Sequence, residues 1–155
     1  MKKIIFLNLF LLEILVIPFL TSCGDDGVGP VTNSLEENYA RWKKLGIVDY
    51  TITQQKLCFC ADRGMKAIIQ VRGNNIVSVI DSITAQQIPQ DRWQWFKTID
   101  GLFQTAISAQ NSKPSNMNLH IEQQYGFPDR IWVDPSAQIA DEEYGFTTTS
   151  FRVMK

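Results

Sequence analysis

The chain has 155 residues, 45% of them hydrophobic and 20% charged, which is material for one domain with a modest core. Its 15 basic and 16 acidic side chains leave a net charge of −1 and form no basic stripe. Phosphate-backbone binding needs clustered Lys and Arg, so nucleic acid is not an expected partner.

The N-terminal segment reads as an address. Lys2 and Lys3 precede an apolar run over residues 4–20, which closes in Leu20-Thr21-Ser22-Cys23. Positive charge, apolar run and small residues before a cut describe a secretory signal peptide. Asn8, Glu13 and Pro18 interrupt the run, which falls short of the roughly 20 apolar residues of a permanent membrane helix. The tetrapeptide resembles the lipobox of bacterial lipoproteins. That resemblance implies a diacylglycerol on the Cys23 thiol, cleavage after Ser22 and, in some members, a further N-acyl chain. Two acyl chains suffice for stable anchoring. The expected organisation is a signal peptide over 1–22, a lipidated tether over 23–33 and one globular domain over 34–155. The expected location is the bacterial cell envelope, lipid-anchored to a membrane, periplasmic or surface-exposed. Apart from the acyl chains, no cofactor is expected.

After the Gly-, Asp- and Pro-rich tether, Ser34-Leu35-Glu36-Glu37 has the form of a capping box. Leu35, Tyr39, Trp42 and Leu45 then recur at helical spacing, and Lys43, Lys44 and Gly46 supply C-terminal signals. From Val48 the period changes to two and predicts a strand reaching Cys60, a turn at Ala61-Asp62-Arg63-Gly64 and a second strand carrying Met65, Ala67, Ile69 and Val71. Arg72-Gly73-Asn74-Asn75 predicts another turn and residues 76–83 a third strand. Residues 84–97 read as a polar connection carrying Trp93, Trp95 and Phe96. Thr98 caps a second helix with Ile99, Leu102, Phe103, Ala106 and Ile107 as its stripe. Strands follow over 117–123, 130–134 and 146–153, the second introduced by a turn at Tyr125-Gly126-Phe127-Pro128.

These elements predict an α+β fold, an antiparallel sheet with two helices packed on one face, in the order αβββαβββ. The segments Tyr50-Thr-Ile-Thr-Gln-Gln55 and Leu119-His-Ile-Glu-Gln-Gln124 raise the idea of tandem halves, although the following turns do not keep the offset.

Asp49-Tyr50, Cys58-Phe59-Cys60, Thr98-Ile99-Asp100-Gly101-Leu102-Phe103, Tyr125-Gly126-Phe127-Pro128 and Ala140-Asp141-Glu142-Glu143-Tyr144-Gly145-Phe146 occur in this order. Together they resemble the domain of unknown function 6174 family of exported bacterial proteins, over roughly Tyr39 to Phe151. The resemblance implies a single exported domain and assigns no catalytic residue.

Cys58 and Cys60 carry the most chemistry. Residues two apart on a strand stand about 6.6 Å apart, whereas disulfide Cβ atoms want about 4 Å. Pairing therefore requires a bend. A local disulfide, two buried thiols, and a redox or metal-binding pair all stay open. His120, the one histidine, alternates with Leu119 and Ile121 and reads as a solvent-facing or hydrogen-bonded strand residue. No G-x-S-x-G elbow accompanies it. Asp134, Asp141, Glu142 and Glu143 form the densest acidic patch and read as a solvated loop, without the spacing of a calcium loop. No metal site is expected.

Trp93, Trp95, Tyr125 and Phe127 lie in loops or turns and are the candidate partner contacts, since exposed aromatics mark contact surfaces. The functional expectation is a membrane-tethered, non-enzymatic binding module whose partner is another envelope protein. Two competitors are an inhibitor of an extracellular hydrolase and a thiol redox or metal-binding module using Cys58 and Cys60.

Overall fold

The computed structural model describes residues 34–60 and 63–155. The expected signal peptide, the lipidation residue Cys23 and the tether lie outside the described residues. The elements are α1 (Leu35–Lys44), β1 (Tyr50–Cys58), β2 (Lys66–Arg72), β3 (Asn75–Asp81), a 3-10 helix (Gln90–Trp95), α2 (Ile99–Ser112), β4 (Asn116–Ile121), β5 (Pro128–Asp134) and β6 (Tyr144–Val153).

Local chemistry sets the helix ends. Ser34 Oγ accepts from the Glu37 N–H at 3.3 Å, and Gly46 leaves α1 at φ +62°, a left-handed conformation that costs glycine little. Thr98 Oγ1 accepts from the Gly101 N–H at 3.1 Å and so starts α2. The β2–β3 turn has Gly73 and Asn74 both at positive φ, the geometry of a type I′ hairpin, whose twist matches its flanking strands.

The six strands form one antiparallel sheet in the order β3-β2-β1-β6-β5-β4. Each half is a three-stranded meander, and the β1–β6 ladder joins the two. Alternation separates the faces. Tyr50, Ile52, Ala67, Ile69, Val71, Ile131 and Val133 are buried, in one core with Leu35, Trp42, Ile99, Leu102, Phe103 and Ala106 of the helices. Thr51, Thr53, Gln55, Trp132 and Asn118 alternate with these or pair with residues that do.

Three expectations need correction. Residues 84–97 are more than a polar connection, because they contain a 3-10 helix. There the Trp93 indole donates to the Ile88 carbonyl at 2.9 Å and Phe96 is buried. β1 stops at Cys58, and the chain bends through Phe59 and Cys60 rather than continuing as strand. Phe127 is not a surface contact: it is 1% exposed, with ring centroids 6.0 Å from Trp42 and 5.1 Å from Phe151. An apolar ring just ahead of a core strand is worth more inside than outside.

Candidate functional site

On the side of the sheet opposite the buried Ile131 and Val133, β4, β5 and β6 present a ladder of mostly polar side chains. The register places His120 and Thr147 on either side of Arg130, and Asn118 and Gly145 on either side of Trp132. Asn116 stands opposite Asp134 at the next step. Beyond Gly145, β1 contributes Leu57. Two bulges break the regular ladder here: β5 carries the extra residue Asp129 opposite His120 and Ile121 of β4, and β6 carries the extra residue Thr149 opposite Thr53 and Gln54 of β1. Bulges bend a strand and increase its local twist.

The result is a trough of three adjoining hollows. One of about 500 Å³ is lined by Asn118, His120, Asp129, Arg130 and Thr147 to Thr149. Arg130, Asn118 and Thr147 are shared with a second, of about 510 Å³, which also reaches Asn116, Trp132 and Leu57. Trp132 and Leu57 continue into a third, of about 290 Å³, bordered by Cys58, Phe59, Arg63 and Glu143.

The charges in the trough are unevenly matched. The His120 ring Nδ1 lies 2.6 Å from Asp129 Oδ1, which occupies that carboxylate and fixes the imidazole. Arg130 is exposed, and its guanidinium has no ion-pair or hydrogen-bond partner among the described residues. Thr147 stands on the trough face beside Arg130, whereas Thr148 pairs with the buried Gln54 and lies on the core side of β6, its hydroxyl without a hydrogen-bond partner among the described residues.

At the far end Cys58 and Cys60 are joined as a disulfide with Cα atoms 5.4 Å apart. The bend after β1 supplies the approach that a straight strand lacks. Phe59 is carried at the apex, 65% exposed, with the Arg63 guanidinium 5.3 Å from its ring centroid. Both sulfurs are engaged, so in this state neither is a thiolate ligand or nucleophile.

The four aromatics singled out from the sequence do not form one patch. Trp95 is half-buried between Arg92 and Lys56, whose cationic groups lie 4.9 and 5.7 Å from its ring centroid. Trp93 packs against the core. Tyr125 and Phe127 meet at Phe151, Tyr125 with a centroid distance of 4.7 Å. None of the four lines the trough. Trp132, Arg130, Asn118 and Thr147 were missed, since each reads in sequence as an ordinary outward-facing strand residue. The available signal was the phase of β5, which sets Arg130 and Trp132 out of step with Ile131 and Val133.

The motifs divide by role. Asp49 accepts from the Gly73 N–H at 2.7 Å and pairs with Arg72 at 3.3 Å, which holds its carboxyl below the usual range and ties down the β2–β3 turn. Asp100 accepts from Trp42 Nε1 at 2.9 Å, Lys43 Nζ at 3.0 Å and Asn74 Nδ2, joining α1, α2 and that same turn. Gly126, at φ +77°, has Arg41 where a Cβ would stand. These motifs build the scaffold. Of the motif residues, Cys58, Phe59 and Glu143 border the trough.

Among the described residues, no group of three or more His, Cys, Asp or Glu is placed to hold a metal ion, and no helix is long and apolar enough to cross a membrane. No curated protein and no solved structure matches the chain. A family model described as a family of unknown function (DUF6174) matches residues 34–153, and the chain belongs to that family.

Proposed function

We propose that the chain is an exported lipoprotein, held on a membrane of the cell envelope by acyl chains on Cys23, whose domain is a non-enzymatic binding module. In this reading α1 and α2 form a single layer over one face of an αβββαβββ fold, and the uncovered face of β4, β5 and β6 is the recognition surface. The observation that carries it is the trough: three adjoining hollows, polar along the floor and ending at an exposed aromatic. Binding sites are concave and combine a few placed polar groups with aromatic surface. The address rests on the Leu20-Thr21-Ser22-Cys23 sequence. It gains support from the Cys58–Cys60 disulfide, since such bonds persist in oxidising compartments.

Photo-crosslinking in intact cells tests both parts. A photoreactive residue at Asn118 should give a specific adduct, and one at the exposed α2 residue Gln104 should not. Cys23→Ala should release the protein from the membrane fraction and abolish that adduct. Equal adducts from both positions, or membrane retention of Cys23→Ala after signal cleavage, would defeat the reading.

A second reading, an inhibitor of an extracellular hydrolase, draws on Phe59, an exposed ring on a short covalent loop at one end of the trough. Aromatic anchors dominate many interfaces. Inhibition of a muralytic or proteolytic enzyme that disappears in Phe59→Ala, with trough variants unaffected, would favour it. Thiol titration separates a redox module: a structural disulfide gives no free thiol and survives mild reductant.

A further inference from the structure

On the reading that the trough is the recognition surface, we propose that its ligand is a carboxylate-bearing oligosaccharide lying along β5. The floor offers a ligand almost no main chain. β5 is paired on both sides by β4 and β6, and β6 on both sides by β5 and β1. A peptide added as an extra strand needs free backbone groups, and here these lie at the sheet edges, outside the centre of the trough. Recognition must therefore run through side chains.

Those side chains are amide, hydroxyl, imidazole and guanidinium groups set around one indole. Asn118 and Thr147 lie on opposite flanks of β5, each reaching two of the hollows. They supply donors and acceptors suited to the hydroxyls of a sugar. Trp132 is half-buried, and the position beside it on β6 is Gly145, so no side chain there covers that flank of the indole. The indole lines two of the hollows and is only half-buried, which makes it a flat apolar platform for the apolar face of a sugar ring. Among the residues lining the two larger hollows only Leu57 and Trp132 are apolar, too few to receive the successive apolar side chains of a hydrophobic peptide.

The acidic group follows from Arg130. It is one pleat repeat from Trp132 on the same face, about 6.8 Å along the strand, and lines both larger hollows. The neighbouring carboxylate of Asp129 is engaged through one oxygen by His120 and not by Arg130, whose guanidinium has no hydrogen-bond or ion-pair partner among the described residues. A planar guanidinium binds a carboxylate bidentately.

The test is calorimetric titration of the full chain, purified in detergent, with three tetrasaccharides. One is a β-1,4-linked N-acetyl amino sugar bearing lactyl carboxylates on alternate rings. Chitotetraose is its neutral counterpart, and tetragalacturonate carries its carboxylates on a different backbone. A carboxylated probe should bind at least about tenfold tighter than chitotetraose, and Arg130→Gln should erase that preference without changing the melting temperature. Asn118→Ala should weaken all binding. The better of the two carboxylated probes identifies a cell-wall glycan or a uronate polymer as the source. Equal binding of chitotetraose, a preference that survives Arg130→Gln, or no binding of any probe overturns the inference. If the saccharides fail while the adduct from position 118 persists, only the ligand class is wrong. If both fail, the trough is not the recognition surface.

Discussion

The phenolic oxygen of Tyr50 accepts the main-chain N–H of Ile99 at 2.8 Å, and both residues are fully buried. The first strand thereby fixes the start of the second helix, 49 residues away in sequence. The first N–H groups of a helix have no partner within it, and this one, sealed from water, has Tyr50.

Tyr50→Phe should cost on the order of 1–3 kcal/mol, the penalty of a buried donor left unsatisfied. Burial also pushes the Tyr50 hydroxyl well above its ordinary value of 10.0. The folded protein then keeps a proton that the unfolded chain surrenders, so stability is complete below pH 10 and falls as pH rises beyond it. Urea unfolding of wild type between pH 8 and about 11 should show this loss, with the Tyr50 contribution absent from Tyr50→Phe. A variant with an unchanged alkaline slope would mean that the decline comes from other groups.

Much of this scaffold was legible in the sequence. Ser34 and Thr98 announced the helix starts, and period-two alternation placed the strands. The antiparallel sheet followed from short Gly- and Asn-containing turns. The trough was not legible, because the residues that make it are those whose alternation says only that they point away from the core. His120, Arg130 and Thr147 become neighbours through the strand order β3-β2-β1-β6-β5-β4, in which the last strand returns to the middle of the sheet. Loop aromatics misled for a related reason. Trp93 and Phe127 lie outside apolar repeats in sequence, yet Trp93 packs against the core and Phe127 is buried in it.

Asp100 gives a test of a hub whose partners come from three separate segments. Asp100→Asn keeps the shape but puts an amide donor where Lys43 and Asn74 both donate, or faces it to Trp42 instead. We expect a loss of about 1–3 kcal/mol, as for other unsatisfied polar groups. Lys43→Met removes one exposed partner and should cost less than about 1 kcal/mol, the usual range for surface pairs. Denaturant midpoints of the two variants check this. Equal losses would place the energy in the charge pair rather than in the hydrogen bonds to Trp42 and Asn74.

Gly145 is required for a steric reason. A Cβ at this position would run into the carbonyl oxygen of Ile131 and lie 3.0 Å from the Trp132 Cα, both on the paired strand β5. Backbone offers no flexible end that can swing away. Gly145→Ala should therefore weaken the β5–β6 ladder and lower the melting temperature more than alanine at Gly73, whose added Cβ meets nothing within 4 Å but whose φ is +52°. Hydrogen exchange of the β5 and β6 amides should rise in the first variant, with β2 and β3 protected as in wild type. A Gly145→Ala protein with wild-type protection would show that the two strands can separate slightly at little cost.

Phe127 and Trp95 separate core from surface among the loop aromatics. Phe127 is 1% exposed, and its ring belongs to a cluster with Trp42 and Phe151. Phe127→Ala leaves a cavity under β5 and should cost about 3–5 kcal/mol. Trp95 keeps part of its ring in solvent between Arg92 and Lys56. Its truncation to alanine should cost about 1–2 kcal/mol, from partial burial and two cation–π contacts. Chemical denaturation of the two variants, read alongside the Asn118 crosslink, gives the decisive comparison. Trp95→Ala should preserve both fold and crosslink, since the ring does not line the trough. If it instead abolishes the crosslink in a folded protein, the recognition surface extends around the sheet to the 3-10 helix, and the polar trough is only part of it.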